Sequence, residues 1–432
     1  MQTCLPLPCF QASFAAALSF FVGACTASGS DWPQFRGPHR DGTWDEAGIL
    51  ESFPREGLKI RWRRPVGGGW ASPVVSQGRV FIFDVALIKP VAKERLHCFE
   101  EKTGRILWVF AYEEPYGEWT YVPERGAGPT ATPIVEGDRI YIVGANGRTH
   151  CLDVKTGTVL WETNIGHDYK VAEMSCRPSP LIEGALLIVF TGAKPGASVL
   201  ALDKQTGKEV WKALDDPVSN SSPILLKAGG KRQLIVWSDS SLTSLDPNSG
   251  NVYWRERMVT SNNDSVATPV FAGGRLLVSG LMLDVSASPL SAVIRWPEIR
   301  TPSRRILSNT STPIVQGDYI YGARGRGELV CLEAATGGQI WSTNGLTALK
   351  SGASIHLTPQ GGGYFLFTDE GNLIRGQLSP AGYQETSRAH LIDPTWPFEQ
   401  TKYVYAPPAF ANAHVFARSE AEVVCASLER EQ

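Results

Sequence analysis

A short segment returns at least five times along this chain and constrains its fold more than any other feature. Each copy has Asp or Glu four residues before a Gly that follows Thr or Ser, and Trp four residues after that Gly. The copies span residues 97–108, 151–161, 202–211, 245–254 and 331–341. Repetition at a period of about 40 to 55 residues is typical of architectures built from stacked units. The sequence therefore predicts one closed repeat domain.

Each repeat is predicted to be a four-stranded antiparallel meander. It opens with Ser-Pro or Thr-Pro, passes through a Gly-containing turn into an apolar run, and ends with two strands joined by the Thr-Gly turn. Short β-branched runs between Gly, Asn and Asp turns favour hairpins. A meander of this size cannot bury both faces alone, so the copies must pack against one another.

Eight repeat openings predict an all-β fold, an eight-bladed β-propeller, with seven blades as the alternative count. The openings lie at Pro73, Pro133, Pro180, Pro223, Pro269, Pro313, Pro359 and Pro408. The tryptophans expected to dock one blade on the next are Trp62, Trp108, Trp161, Trp211, Trp254, Trp296 and Trp341. The fifth repeat lacks the Thr-Gly turn, and the seventh lacks the tryptophan.

Closure of the ring is predicted from the two ends of the repeat array. Trp62 has no repeat before it, while the last repeat, residues 408–428, stops after three strands. We expect residues 59–63 to supply the missing outer strand of the last blade. An N-terminal strand in that place removes the exposed edges that an open array would leave.

The repeat resembles the tryptophan-docking motif of PQQ-like (quinoprotein-type) β-propeller proteins, a superfamily that includes BamB-like proteins. The resemblance covers residues 31–428, and the opening Trp32-Pro33-Gln34-Phe35-Arg36-Gly37-Pro38 is similar to that of a bacterial secreted subgroup. It implies the fold but no single activity, since the superfamily holds quinone-dependent dehydrogenases as well as the BamB-type scaffold lipoprotein of outer-membrane assembly.

The N-terminus predicts export. Residues 12–24 are small and apolar, too short to span a membrane, and we assign residues 1–25 as a signal peptide. It ends in a lipobox-like Val22-Gly23-Ala24-Cys25, which makes Cys25 the candidate lipidation site; the alternative is an ordinary signal peptide cut further along. The protein is expected in the periplasm or anchored at the cell envelope. Residues 26–56 form a leader, predicted to lie as a strap against the outside of the ring, and residues 57–428 a single propeller domain.

Composition narrows the partners. The net charge is −2 and no basic stripe is present, which argues against nucleic acid. We expect a monomer that contacts a membrane only through a lipid anchor. Cys98, Cys151, Cys331 and Cys425 share one repeat position and are predicted to be small buried hydrophobes, so neither a disulfide nor a thiolate metal site is predicted.

The candidate binding residues precede the Ser/Thr-Pro steps. In a propeller the loops that enter the innermost strands converge around the central channel, the usual place for a ligand. The candidates are Trp70, Arg125, Arg177, Asn220, Asp264, Asn309, His356 and Tyr405. This mixture suits a polar or anionic small molecule or a peptide; the alternative is a set of loop caps around a water-filled channel.

The longest insertion, residues 109–130, mixes aromatic and acidic side chains. Such a loop could be a lid or a partner-binding arm, or could pack down and bury its aromatics. Trp119 and Tyr121 in it favour, as one alternative, a carbohydrate-binding or sensing propeller.

Catalytic motifs are absent from the sequence. There is no Cys-Cys pair, no Cys-x-x-Cys-His haem motif, no run of acids that would hold Ca²⁺, and no ligand spacing among the histidines. We therefore predict no catalytic residues, no metal site and no cofactor. The leading hypothesis is a non-catalytic exported propeller that serves as a binding or scaffold module for an envelope protein or a small ligand. The alternative is a quinoprotein oxidoreductase, for which the resemblance implies PQQ with Ca²⁺.

Overall fold

Eight four-stranded antiparallel sheets stand around a central channel and make an eight-bladed β-propeller. The computed structural model describes residues 1–2, 30–122, 128–258, 265–298, 305–398 and 401–430. Within these ranges the helical elements are α1 (Ile165–Asp168) and a 3-10 turn (Glu118–Tyr121), and none is long and apolar enough to cross a membrane. The predicted fold class and blade count are confirmed.

Each blade takes four strands from consecutive chain segments, except the last. The first strand along the chain is β1 (Ile60–Pro65). Blades 1 to 4 contain β2 (Val74–Ser76), β3 (Arg79–Ile88), β4 (Val91–Glu100), β5 (Ile106–Glu114), β6 (Ile134–Glu136), β7 (Arg139–Val143), β8 (Arg148–Asp153), β9 (Val159–Asn164), β10 (Leu181–Glu183), β11 (Leu186–Ala193), β12 (Ala197–Asp203), β13 (Glu209–Ala213), β14 (Ile224–Ala228), β15 (Lys231–Trp237), β16 (Ser241–Leu245) and β17 (Val252–Arg257). The remaining strands are β18 (Val270–Ala272), β19 (Arg275–Val278), β20 (Leu281–Ala287), β21 (Leu290–Trp296), β22 (Ile314–Gln316), β23 (Tyr319–Ala323), β24 (Leu329–Glu333), β25 (Gln339–Thr343), β26 (Ile355–Gln360), β27 (Gly363–Thr368), β28 (Asn372–Ser379), β29 (Gly382–His390), the hairpin β30 (Trp396–Phe398) and β31 (Thr401–Tyr403), then β32 (Ala409–Ala411), β33 (His414–Arg418) and β34 (Glu422–Ser427).

The ring closes as predicted, because β1 is the outer strand of blade 8. It pairs antiparallel with β34, and Trp62 lies opposite Cys425. A buried arginine, Arg418, strengthens the junction between blades 8 and 1. Its guanidinium donates hydrogen bonds to the carbonyl oxygens of Phe83 (2.9 Å) and Gly67 (2.6 Å). The strand β1 therefore covers the edge of β34 that the truncated last repeat would otherwise leave open.

The tryptophans dock each blade on the Thr-Gly turn of the next. Trp161 in blade 2 donates its indole N–H to the carbonyl of Lys204 in blade 3 at 3.1 Å. The same bond to the following blade is made by Trp62, Trp211, Trp296 and Trp341. Trp254 precedes the eroded fifth repeat, which offers no Thr-Gly turn, and it donates to Gln233 of its own blade instead. Five of the seven predicted tryptophans therefore bond to the following blade. Trp108 packs on its receiving turn at Gly157 without a partner for its indole N–H, and Trp341 bonds to Ser379 in a turn that lacks Thr-Gly.

The Ser/Thr-Pro steps tie neighbouring inner strands together around the channel. The amide of Ser72 donates to Thr132 Oγ1, and the amide of Thr132 donates to Ser179 Oγ, both at 3.0 Å. The amides of Ser179 and Thr268 make the same 3.0 Å bond to the next blade. The prediction that Pro359 opens the seventh blade is wrong in register, because β26 begins at Ile355 and Pro359 lies inside that strand.

The leader does not lie against the outside of the ring, as the sequence suggested; its first part lies in the channel. Trp32 pairs through both backbone groups with Val75 of β2, and the carbonyl of Pro33 accepts from the amide of Val135 in β6. Trp44 donates its backbone amide to the carbonyl of Pro359 in blade 7 at 2.9 Å.

Two forces hold the leader there. The edges of the inner strands need hydrogen-bond partners, and the indoles of Trp32 and Trp44 become buried. Only the end of the leader reaches the periphery, where the Phe53 amide donates to Ser387 of β29.

The five described cysteines are buried and free, as expected for small hydrophobic positions. They are Cys98, Cys151, Cys176, Cys331 and Cys425. Burial raises the pKa of Cys98 and of Cys176 to about 12, which keeps both as thiols. The predicted signal peptide and Cys25 lie outside the described residues, as do Cys4 and Cys9.

Candidate functional site

A cavity of about 290 Å³ lies in the central channel, above the leader. Trp32, Phe35, Arg36 and Gly42 of the leader form part of its lining, and the loops that enter the inner strands form the rest. The leader thus closes one end of the channel, and the entering loops surround the other. A concave site of this size suits a small molecule.

One repeat position supplies most of the wall. The residue three positions before the opening proline lines the cavity in seven blades: Trp70, Thr130, Arg177, Asn220, Val266, Thr310 and Tyr405. In blade 7 the residue at the same offset, His356, also lines the cavity, although it lies inside β26. Equivalent positions meet there because each blade presents the start of its inner strand to the same axis.

Five of the eight candidate residues from the sequence therefore line one cavity: Trp70, Arg177, Asn220, His356 and Tyr405. Asn309 is buried beside the wall, and its neighbour Thr310 is the lining residue. Arg125 and Asp264 lie outside the described residues. Strict use of the three-residue offset would have found Thr130, Val266 and Thr310, which the sequence reasoning missed. No repeat signal points to the leader residues in the cavity.

The wall contributed by blades 8 and 1 is aromatic. Trp70 packs edge-on against Trp396 (ring centroids 5.1 Å apart) and against Tyr405 (6.1 Å). Tyr403 stacks on Tyr405 at 5.1 Å. The β30–β31 hairpin, an addition to the regular blade, carries Trp396 and Tyr403 and so supports this wall from behind.

A carboxyl group lies behind the same wall. The indole N–H of Trp70 donates to Glu420 Oε1 at 2.8 Å. Burial raises the pKa of Glu420 to about 7, although the nearby Arg418 charge and this hydrogen bond act in the opposite direction. Glu420 therefore changes its protonation state close to neutral pH.

The wall contributed by blades 3, 4 and 7 is polar. Arg177 donates to the carbonyl of Met174 at 2.8 Å and to Asn220 Oδ1 at 3.4 Å. His356 Nε2 lies 3.1 Å from the carbonyl of Tyr405, so this nitrogen carries the proton. Burial lowers the pKa of His356 to about 4, and the imidazole is neutral at pH 7.

Two further arginines hold the floor. Arg36 donates to the carbonyls of Arg40 (3.3 Å) and Asp41 (2.5 Å). Arg40 donates to the carbonyls of Pro180 (2.8 Å) and Pro223 (3.2 Å) and so joins the leader to blades 3 and 4. Burial lowers the pKa of Arg36 to about 10 and that of Arg40 to about 9, and both stay charged at pH 7.

The described lining does not fit the Ca²⁺ ion that a PQQ-dependent enzyme of this fold would need. Calcium prefers several carboxylate and carbonyl oxygens, and none of the lining residues is Asp or Glu. The guanidinium groups of Arg36 and Arg177 would also repel a cation. Across the described ranges, no group of three or more His, Cys, Asp or Glu side chains is arranged to hold a metal.

Comparison with known proteins links this fold to one family. The family described as outer membrane protein assembly factor BamB matches residues 92–343, more than half of the chain. The BamB of Burkholderia pseudomallei is 28% identical over 234 residues, which are 52% of this chain and 58% of that protein. The match thus spans less than two thirds of that relative.

Two solved structures share the propeller at low sequence identity. BamB from Moraxella catarrhalis superposes with a TM-score of 0.57 at 15% identity, over 86% of this chain and 99% of that one. Quinohemoprotein alcohol dehydrogenase from Comamonas testosteroni gives a TM-score of 0.61 at 13% identity, over 93% and 81%. At such identities the likeness concerns the fold alone. Because the family model matches residues 92–343, more than half of the chain, the chain belongs to the family of the outer membrane protein assembly factor BamB.

Proposed function

We propose that this protein is an exported scaffold of the cell envelope that binds a partner protein during outer-membrane protein assembly. The observation that carries the proposal is the family match, which runs from β4 of blade 1 to the end of blade 6. The cavity chemistry supports it in part, because its described lining is unsuited to the Ca²⁺ site of the quinoprotein alternative. In this proposal the protein acts by binding its partner protein through a rigid surface.

The partner surface in this proposal is an arm on blade 1, defined as residues 85–94 and 113–122. The strands β3 and β4 each have ten residues, whereas β7 and β8 of blade 2 have five and six. The ends of β3 and β4 therefore extend beyond the regular blade. The arm exposes apolar side chains: Ile88 is 69% exposed, Val122 42% and Trp119 39%. Exposed apolar and aromatic groups set among charges are typical of protein interfaces.

The arm is held firmly on its own domain. Tyr112 and Tyr116 both donate to the buried carboxylate of Glu94, the second at 2.5 Å, and the Ala145 amide of blade 2 donates to it at 2.9 Å. Trp119 donates to Glu173 at 3.0 Å. Tyr112 and Tyr116 of the insertion therefore turn inward, while Trp119 stays partly accessible. A surface fixed before binding loses little conformational entropy when the partner docks.

The experiment compares arm variants with a matched surface variant in cells that lack the native gene. Outer-membrane protein levels are measured after complementation with wild type, with Ile88→Ser/Trp119→Ser, or with Val210→Ser/Val293→Ser. Val210 and Val293 are 53% and 63% exposed, on the outer strands of blades 3 and 5. We expect the control pair to restore the levels and the arm pair to fail, with both proteins equally stable.

A photo-crosslinker at position 119 gives the second measurement. It should join this protein to an outer-membrane assembly component, and the same group at position 210 should not. Arm variants that complement as well as wild type would rule out the arm as the partner surface. Unchanged outer-membrane protein levels after gene deletion would contradict the assembly role itself.

A further inference from the structure

The lining of the cavity in the channel carries an excess of positive charge. Arg36 and Arg177 line it, and Arg40 lies in the leader that forms its floor. None of the three forms an ion pair with a described acid. Asp41, the acid close to Arg36, directs its carboxylate to the amide and hydroxyl of Thr43 at 2.9 and 2.7 Å.

These guanidinium groups are positioned by neutral acceptors. Backbone carbonyls hold Arg36, and a carbonyl together with the Asn220 amide oxygen holds Arg177. Such bonds fix the orientation of a cation without cancelling its charge. A partly buried charge without an ion-pair partner is costly, so the folded protein gains when an anion enters.

The cavity also offers hydroxyl groups as hydrogen-bond donors. The hydroxyl oxygens of Ser179, Ser222 and Thr312 accept backbone amides from the preceding blade. All three residues line the cavity, and their hydroxyl protons are donated to no described group. A bound molecule with several acceptor oxygens would satisfy them together with the arginines.

The opposite wall sets the shape of the rest of the ligand. Trp70, Tyr405 and Phe35 present aromatic surface, and Pro407 and Pro408 add apolar contacts. A flat apolar body matches this wall, because aromatic faces stack on such groups.

We propose that the central cavity binds a small organic carboxylate. Its carboxylate oxygens accept hydrogen bonds from Arg36 and Arg177, and its flat apolar body rests on Trp70 and Tyr405. The leader is then part of the site, since it supplies one of the two arginines. This binding does not depend on the proposed scaffold role, which uses a different surface.

The test uses benzoate as the probe, with three comparisons on the full mature protein. Benzamide has the same shape without charge, acetate has the charge without the ring, and inorganic phosphate is an oxyanion without an apolar body. Calorimetry and thermal shift should show benzoate binding on the order of tenfold or more tighter than each. Equal binding of benzamide, equal or tighter binding of phosphate, or no binding of benzoate would overturn the proposal.

Variants locate the site. Arg177→Gln should weaken benzoate on the order of tenfold or more, whereas Arg257→Gln, an exposed arginine on β17, should leave it unchanged. Equal losses in the two variants would mean that general surface charge binds the probe and would overturn the proposal. If Arg177→Gln does not fold, Arg177→Lys keeps the charge without the planar fork, and an unchanged affinity for benzoate in it would count against direct contact.

Discussion

Trp108 of blade 1 lies so close to Gly157 of blade 2 that a Cβ atom on that glycine would sit 2.6 Å from the indole Cε3. Gly157 also has a φ of +72°, which other residues rarely adopt. The same pairing joins Trp161 to Gly207 and Trp211 to Gly250. The Thr-Gly and Trp elements of the repeat are therefore two halves of one contact between neighbouring blades.

Gly157→Ala should destabilise the protein by about 1–3 kcal/mol more than Gly137→Ala, because it adds overpacking to backbone strain. Gly137 has a φ of +59° with nothing within 4 Å of a new Cβ, so it reports the strain alone. Denaturant unfolding measures both values. Similar losses of unfolding free energy in the two variants would show that Trp108 moves away from the new methyl group without destabilising the protein.

Trp161→Ala should lower the free energy of unfolding by about 3–5 kcal/mol, since it removes a buried aromatic side chain and the hydrogen bond to Lys204. Trp119→Ala is the control, because that side chain is 39% exposed, and its effect should be clearly smaller than that of Trp161→Ala. An unchanged thermal midpoint for Trp161→Ala would contradict the docking role.

Trp44→Ala should loosen the leader within the channel. The indole is fully buried between Phe365 and Phe410, with ring centroids at 5.9 and 5.3 Å. Under conditions in which the wild type resists limited proteolysis, the variant should be cut within residues 30–57. Its free energy of unfolding should fall by about 3–5 kcal/mol. First cuts elsewhere in the ring would argue against a leader held by this residue.

Glu420→Gln should change how stability depends on pH. The pKa of Glu420 is about 7 in the folded protein, above its ordinary 4.5, so the native state holds a proton that the unfolded chain releases. Wild type therefore loses stability as pH rises from about 4.5 to 7, by about 1–3 kcal/mol. The variant should lack this loss, and its advantage over wild type should grow between pH 5 and 8. Parallel curves for the two proteins would refute the assignment.

Cys25→Ser should abolish lipid attachment if residues 1–25 end in a lipobox. Incorporation of labelled palmitate and the mass of the mature N-terminus are the measurements. We expect label in wild type and none in the variant. An unlabelled wild-type protein cut after residue 25 would indicate an ordinary signal peptide.

The sequence alone determined the propeller, its blade count and its closure. The evidence for these is periodic: the Thr-Gly turn and the tryptophan recur with every blade, and a short first strand matches a truncated last repeat. Turn geometry and strand alternation are local, so they can be read from neighbours in the chain. The position three residues before each opening proline was readable for the same reason, and the one described candidate that departs from this offset, Asn309, does not line the cavity.

Only the tertiary structure decided where the leader lies and what the cavity contains. Trp32, Arg36 and Trp44 lie in the leader, which has no equivalent in the repeats, so no periodic signal points to their partners. They enter the channel because the closed ring creates inner edges that need hydrogen bonds and an interior that buries indoles. The meeting of Arg36 with Arg177 across 141 positions of sequence likewise follows from ring closure, which brings distant segments to one axis.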